Sequence, residues 1–196
     1  MLTLSADHVY RWNGEIVPGL NEKLTAEGMQ DFSCIPPDRL AAAMYRGNYV
    51  HKATELFDKG KLREETLKSE FVPYIDGWKK FRIDYKPVIL SIEGGLYSKL
   101  RNLAGTHDRV VRIGGCVVLV DIKTYAQMKW IDGVKLAAYK ILWDEHNPKD
   151  KIRKRMIVHL TEKGYKISIC NNLQDMSDFL LCNSMYKLKK RRGLIK

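Results

Sequence analysis

Cysteine is scarce in this sequence, and long apolar stretches are absent. The 196 residues include 4 cysteines, none spaced as C-x-x-C, which argues against a zinc site and leads us to expect reduced thiols. No apolar run is long enough to span a membrane. The N-terminus lacks a basic segment followed by an apolar one, so we expect no secretory signal and a cytoplasmic location.

Acidic residues are outnumbered by basic ones. There are 23 aspartates and glutamates against 34 lysines and arginines, which gives a formal net charge of +11. A surplus of this size favours a polyanionic partner, chiefly nucleic acid. Basic residues cluster at positions 79–82, 149–155 and 187–192. The alternative is a solubilising surface with a basic tail, because basic runs alone are weak evidence of function.

The order of predicted elements indicates one α/β domain over residues 1–196, with helices packed on a central sheet. Asn13-Gly14 and Gly114-Gly115 predict tight hairpin turns, and Pro73 is expected to kink or divide a helix. The predicted strands are 8–12, 15–17, 87–93 (ended by a Gly-Gly pair), 103–113, 116–123, 155–160 and 165–169. The predicted helices are 38–57, 62–81, 131–145 and 173–190.

Charged residues suited to catalysis lie on the hairpin formed by strands 103–113 and 116–123. Asp108 and Asp121 are nearly equidistant from the turn, so they are expected to face each other across the ladder. Two carboxylates this close repel each other, and a divalent cation removes the conflict. Lys123 lies two residues beyond Asp121 and therefore projects from the same face of its strand. Near a bound phosphate its ammonium could position a water or stabilise developing charge.

A purely structural explanation stays open for both groups of candidate residues. Lys123 could form a salt bridge with Asp108 or Asp121 on a solvated surface, although acids that follow the apolar run 117–120 are costly unless bound or functional. Upstream, His51 and Glu55 are four residues apart and share one face of the helix 38–57. His51 could ligate a metal, or the two residues could form an ordinary surface pair.

Together these motifs resemble the PD-(D/E)XK nuclease superfamily, and in particular its RecB-like and phage-exonuclease branch. G-x-x-x-H-x-x-x-E falls on residues 47–55, G-T-x-D-R on 105–109 and D-x-K-T on 121–124. Glu93 matches an acid late in a strand, and a Q-x-x-x-Y motif falls on residues 135–139. The resemblance covers about residues 43–140. It implies an α/β restriction-endonuclease-like core, a central mixed β-sheet flanked by helices, with an N-terminal hairpin and a basic C-terminal helix.

The resemblance also implies roles for individual residues and a divalent metal, Mg²⁺ or Mn²⁺. The implied metal ligands are Asp108, Asp121 and the carbonyl of Ile122. His51 would either bind the metal itself or contact one of these ligands. The implied catalytic residues are Asp108, Asp121, Lys123, which would orient or activate the hydrolytic water, and Glu93, which would help to hold that water or a second ion. The implied DNA contacts are Lys135, Tyr139 and Arg109.

Two departures from the family pattern affect these expectations. Lys135 stands where the family has glutamine, and a lysine can bind a phosphate by charge but cannot both donate and accept as an amide does. Some relatives carry an iron–sulfur cluster on one early and three clustered late cysteines. Cys34, Cys170 and Cys182 do not form that pattern, so we expect no cluster.

The function implied by the resemblance is a metal-dependent deoxyribonuclease of a bacterium or a phage-infected host, acting in recombination or DNA processing. An exonuclease acting on DNA ends or single strands is the first expectation. The alternatives are a structure-specific or nicking endonuclease, and a non-catalytic DNA-binding protein with the same fold. Whether the protein forms a homo-oligomer or binds a recombination partner protein stays open, because no residue pattern in the sequence indicates either.

Overall fold

The structure is a computed structural model that describes residues 1–5 and 7–195. Its N-terminal part is a small antiparallel sheet of three strands, β1 (Leu2–Leu4), β2 (Tyr10–Trp12) and β3 (Glu15–Val17). Asn13 and Gly14 connect β2 to β3 with positive φ values of 52° and 91°, as a type I′ turn requires. The predicted hairpin is therefore confirmed, whereas strand β1 was not predicted.

The central sheet has five strands in the spatial order of the chain: β4 (Val88–Ser98), β5 (Leu103–Ile113), β6 (Cys116–Lys123), β7 (Lys154–Thr161) and β8 (Gly164–Ile169). Neighbouring strands are antiparallel except β6 and β7, which are parallel. A parallel pair needs a crossover connection, and helix α4 (Trp130–His146) supplies it. The predicted central mixed sheet is confirmed.

Helices cover both faces of this sheet. They are α1 (Leu20–Ala26), α2 (Pro37–Asp58), α3 (Val72–Tyr85), α4, and α5 (Gln174–Arg191). On one face Val50 of α2 and Trp78 of α3 pack with Val120 and Ile122 of β6. On the other face Leu136 of α4 packs with Val117 and Leu119 of β6. Strand β6 is thus buried on both sides, which explains its continuous apolar run.

The segment before α3 differs from the prediction of one helix over residues 62–81. It forms two short 3₁₀ turns, Glu64–Thr66 and Ser69–Phe71, and the α-helix begins only at Val72. Pro73 lies in the first turn of α3, where its missing N–H has no helical partner to lose, so it starts the helix instead of kinking one. No helix in the described residues is long and apolar enough to cross a membrane.

Candidate active site

Two acids face each other at the end of the β5–β6 ladder far from its turn. The ladder pairs Arg109 with Val120, and one further step of this register brings Asp108 opposite Asp121. The carboxylate of Asp108 accepts a hydrogen bond from the amide N–H of Ile122, with Oδ2 2.7 Å from the nitrogen. The cross-strand arrangement predicted from the position of the turn is therefore present.

Both acids project from the sheet face that carries α4. Leu119 of β6 and Val110 of β5 belong to the apolar cluster that contains Leu136 of α4. Asp121 lies two residues after Leu119, and Asp108 lies two residues before Val110, so each continues the side-chain series of its strand on that face. The two carboxylates are thus at one end of a packed apolar layer.

Lys123 and Asp121 form an ion pair on this same face. The ammonium Nζ is 2.6 Å from Oδ2 of Asp121, and the side chains are only 21% and 9% exposed. The salt bridge considered as a structural alternative exists, but it lies in a recess and not on a solvated surface. Burial opposes the charged form of Lys123, yet the negative charges of Asp121 and Asp108 outweigh it and raise the pKa above its ordinary value.

The acids of the site differ in how readily they lose a proton. Burial raises the pKa of Asp121, and the nearby charge of Asp108 raises it further. Burial likewise raises the pKa of Glu93 to about 7, again with a contribution from Asp108. Burial acts in the same direction on Asp108, but His51 and Lys123 outweigh it and lower its pKa. Asp108 is therefore the acid whose charge the surrounding residues support best.

Helix α2 brings His51 against this group of acids. Its Nδ1 is 3.5 Å from Oδ2 of Asp108. His51, Glu93 and Asp108 each offer one ligand atom, and the three atoms lie within 4.8 Å of one another. The predicted candidates from three separate elements, α2, β4 and β5, are thus brought together.

Glu55 lies outside this group although it shares a helix with His51. Its carboxylate binds Lys52 of α2 at 2.9 Å and Lys59, the residue directly after the helix, at 2.6 Å. These bridges account for Glu55, so the alternative of a simple His51–Glu55 surface pair does not describe the structure.

Glu93 reaches the site from an irregular part of β4. The register of β4 against β5 shifts between Ile89 and Ser91, and Glu93 has a positive φ of 48°, which is unusual for a residue with a side chain. The prediction that Gly94-Gly95 ends the strand is wrong, because β4 continues to Ser98. A Cβ on Gly94 would lie 2.4 Å from Cε1 of His107, so the glycine permits close packing within the sheet.

Arg109 is fully buried, which contradicts its prediction as a DNA contact. Its guanidinium binds Asp58 through Nε at 2.7 Å and Glu93 through Nη1 at 2.8 Å. The same Nη1 donates to the backbone carbonyl of Asp108 at 2.7 Å. Arg109 therefore links two of the three residues of the candidate metal cluster from behind the sheet.

Asp58 is a residue that the sequence analysis missed. Its side chain is completely buried, and it also accepts hydrogen bonds from Trp78 at 3.2 Å and from Arg82. The sequence held one signal, because Thr54 and Asp58 follow His51 by three and seven residues and so share its helix face. The hydroxyl of Thr54 is 3.3 Å from Nη2 of Arg109, which completes the link between α2 and β5.

Helix α4 places Lys135 and Tyr139 beside the acids. The Tyr139 ring packs on Gly105 so closely that a Cβ there would be 2.8 Å from Cε1 of the ring. Burial raises the pKa of Tyr139, and the charges of Asp121 and Asp108 add to the effect. Burial lowers the pKa of Lys135 to about 8, with a further contribution from the charge of Lys123. Both side chains therefore border the candidate site, and their role as DNA contacts stays a prediction.

The donor set of the site fits a divalent cation that prefers oxygen. Asp108 and Glu93 provide carboxylates and His51 provides an imidazole, all within reach of one point. Mg²⁺ and Mn²⁺ take carboxylate, carbonyl and water oxygens, and imidazole is a common further ligand for transition metals. Asp121 is not part of this trio. Its Oδ2 lies against Lys123, and it neighbours Asp108 across the ladder.

Comparison with known proteins identifies the fold. No family model matches the sequence, and no curated protein matches it. The crystal structure of an inferred exonuclease from Eubacterium rectale is similar over 89% of this chain and 74% of that chain, with a TM-score of 0.53 and 12% identity. An alkaline exonuclease from Laribacter hongkongensis is more distant, with a TM-score of 0.35 and 13% identity over 91% of this chain and 93% of that one. The likeness to the Eubacterium rectale structure shows the fold alone, a restriction-endonuclease-like core with a mixed central sheet between helices, as the resemblance implied.

Proposed function

We propose that this protein is a metal-dependent DNA nuclease that hydrolyses phosphodiester bonds. The observation that carries the proposal is the convergence of His51, Glu93 and Asp108 within 4.8 Å, next to the Asp121–Lys123 pair. Two acids opposite each other in a mostly buried recess are costly unless a cation compensates their charge. A protein that only binds DNA has no need for such a group.

The metal would be Mg²⁺ or Mn²⁺, with Asp108 as its central ligand. Glu93 and His51 would complete one side of the site, and Asp121 and the carbonyl of Ile122 the other. The N–H of Ile122 points to Asp108, and the carbonyl of a strand residue points to the same side as its N–H. When bound by these residues, such an ion would supply Lewis-acid chemistry for a phosphate oxygen and for water.

Lys123 would act on the nucleophile and on the charge that develops during hydrolysis. Asp121 holds its ammonium at 2.6 Å, at the rim of the metal cluster. From there the ammonium can donate a hydrogen bond that orients the attacking water. It can also stabilise the additional negative charge on the phosphate oxygens in the transition state.

An exonuclease acting on DNA ends or single strands is the preferred form of this activity. The preference comes from the order of the motifs along the chain, and the name of the Eubacterium rectale neighbour agrees with it. A structure-specific endonuclease and a non-catalytic DNA-binding protein are the outcomes that a test has to separate.

Labelled linear and circular DNA incubated with Mg²⁺, with Mn²⁺ or with EDTA provides that test. We expect nucleotide release from linear DNA in the presence of either metal and none in EDTA. Cleavage of circles would instead assign an endonuclease. A shift of DNA mobility without cleavage in any metal would overturn the proposal of an enzyme.

A further inference from the structure

A cleft of about 690 Å³ opens beside Lys123, between the segment that joins α1 to α2 and the N-terminal end of α4. Phe32 contributes to one wall, Tyr125 and Trp130 to the other, and Lys129 and Lys135 also line it. We call it the side cleft. Because Lys123 belongs both to this lining and to the candidate active site, a chain lying in the side cleft would lead directly to the reacting phosphate.

Two large aromatic side chains in the side cleft are open to solvent. Trp130 is 60% exposed and Phe32 is 41% exposed. Exposed aromatic rings are platforms on which unpaired bases stack, and this contact tolerates any base because every base has a π-face. The bases of a duplex already stack on each other and cannot offer their faces in this way.

Tyr125 gives the side cleft a fixed inner wall. Its hydroxyl donates to Oδ1 of Asp132 at 2.7 Å, and its backbone carbonyl is 2.7 Å from Nδ1 of the buried His159. The ammonium of Lys129 lies over the Tyr125 ring, 5.1 Å from its centroid. These contacts set the spacing between the aromatic and the basic groups of the cleft.

The charge that the side cleft can offer to a ligand is positive. The ammonium of Lys135 makes no hydrogen bond or ion pair within residues 1–5 and 7–195. The two acids in the lining already have donors: Asp31 accepts from the amide and hydroxyl of Ser33, and Asp132 accepts from Tyr125 and the amide of Lys129. The ammonium groups of Lys129 and Lys135 are therefore available for phosphates.

We propose that the side cleft binds one unpaired DNA strand, with bases stacked on Trp130 and Phe32 and phosphates contacted by Lys129 and Lys135. This inference rests on the proposed nuclease function and names its substrate, which is single-stranded DNA or the frayed strand of an end. The strand would pass from the side cleft over Lys123 to the acids.

Binding in EDTA tests the inference without cleavage. Fluorescence anisotropy of a labelled oligothymidine is compared with that of a labelled blunt hairpin duplex of the same number of nucleotides. We expect tighter binding of the single strand and a loss of about tenfold in its affinity for Trp130→Ala and for Phe32→Ala, the range found for stacked bases. Trp130→Phe keeps a ring and should bind within about threefold of the wild type.

Tryptophan fluorescence gives an independent readout of stacking. The chain has 4 tryptophans, and we expect the single strand to quench part of their emission in the wild type but not in Trp130→Phe. Tyr85→Ala is the matched control, since Tyr85 is 39% exposed but packs against Phe81 and Tyr165, away from the side cleft. It should leave both affinity and quenching unchanged.

The results separate this inference from the proposed function. Two results would overturn the side cleft as the binding site even if the protein cleaves DNA. One is equal affinity for the single strand and the duplex. The other is unchanged single-strand affinity in Trp130→Ala and Phe32→Ala. Stacking on Trp130 without hydrolysis in Mg²⁺ or Mn²⁺ would support the binding site and overturn the nuclease proposal.

Discussion

At the scale of single residues, Asp108 connects the parts of the site. Its carboxylate accepts the N–H of Ile122 and faces His51, and its backbone carbonyl accepts from Arg109. A side chain held by neighbours on two other elements, β6 and α2, keeps its geometry when a ligand arrives, which favours metal binding and catalysis.

Replacement of Lys123 tests its proposed role in hydrolysis. We expect Lys123→Ala to lower the cleavage rate by about 10²–10³-fold, because the donor to the water and to the developing charge is lost. DNA affinity in EDTA should stay within a few-fold of the wild type. Lys59→Ala is the matched control, since Lys59 pairs with Glu55 outside the site. Wild-type turnover in Lys123→Ala would contradict the assignment.

Replacement of Lys135 tests whether it contacts a phosphate at the position where the resembled motif has glutamine. We expect Lys135→Gln to weaken binding of single-stranded DNA and to reduce the slope of log affinity against log salt by about 0.7, the value for one phosphate contact on a single strand. Lys163→Gln, in the turn between β7 and β8, should leave the slope unchanged. An unchanged slope in Lys135→Gln would exclude this contact.

At the scale of elements, an irregular edge strand and a helix position the site from opposite sides. Strand β4 presents Glu93 from a positive-φ position next to Gly94, and α2 presents His51. Arg109 ties the two together by binding Glu93 and Asp58, the last residue of α2. The geometry of the candidate metal cluster therefore depends on contacts behind the sheet as much as on the candidate ligands themselves.

The packing around Gly94 can be tested with two neighbouring glycines. A Cβ on Gly94 would lie 2.4 Å from His107 and 2.6 Å from Ser91, whereas on Gly95 the nearest atom, from Leu2, is 3.4 Å away. We expect Gly94→Ala to lower the free energy of unfolding by about 1–3 kcal/mol and to lower activity by displacing Glu93. Gly95→Ala should have a much smaller effect in denaturant titration, and equal effects would contradict this account.

The link between α2 and β5 predicts that breaking a buried ion pair costs more stability than breaking an exposed one. Asp58→Asn removes the charge that compensates the fully buried Arg109, and we expect a loss of about 3 kcal/mol in stability. Asp150→Asn removes the partner of Arg112 in a bridge whose side chains are 53% and 39% exposed, and should cost less than about 1 kcal/mol. Thermal unfolding of both variants measures the difference; similar losses would argue against a buried link.

The sequence predicted local elements better than long-range contacts. The β5–β6 hairpin follows from a Gly-Gly turn between two apolar strands, so its bounds and register were predictable. Helix α1 was missed, since its seven residues are too few for a clear periodic pattern. Gly94-Gly95 was wrongly predicted to end a strand, because glycine also occurs within strands where packing is tight. The buried position of Arg109 depends on Asp58, 51 residues away, which no local pattern reveals.

At the scale of the whole molecule, only part of the positive charge is free to bind a ligand, because some basic residues are paired with acids. The basic cluster 79–82 is neutralised by acids: Lys79 binds Glu64, Lys80 binds Asp84 and Arg82 binds Asp58. The net charge of +11 can still attract DNA at long range, but contacts have to come from other lysines and arginines. The side cleft, which opens directly from the site, is where such contacts would guide a strand to the acids.

The central claim is that Asp108 and its neighbours bind a divalent ion, and anomalous diffraction from crystals soaked in Mn²⁺ tests it most directly. The account predicts a peak about 2.2 Å from a carboxylate oxygen of Asp108, in contact with Glu93 or His51 on one side or Asp121 on the other. The peak should disappear in Asp108→Asn. Saturating Mn²⁺ with no peak at Asp108, or a peak that persists in the variant, would contradict the account.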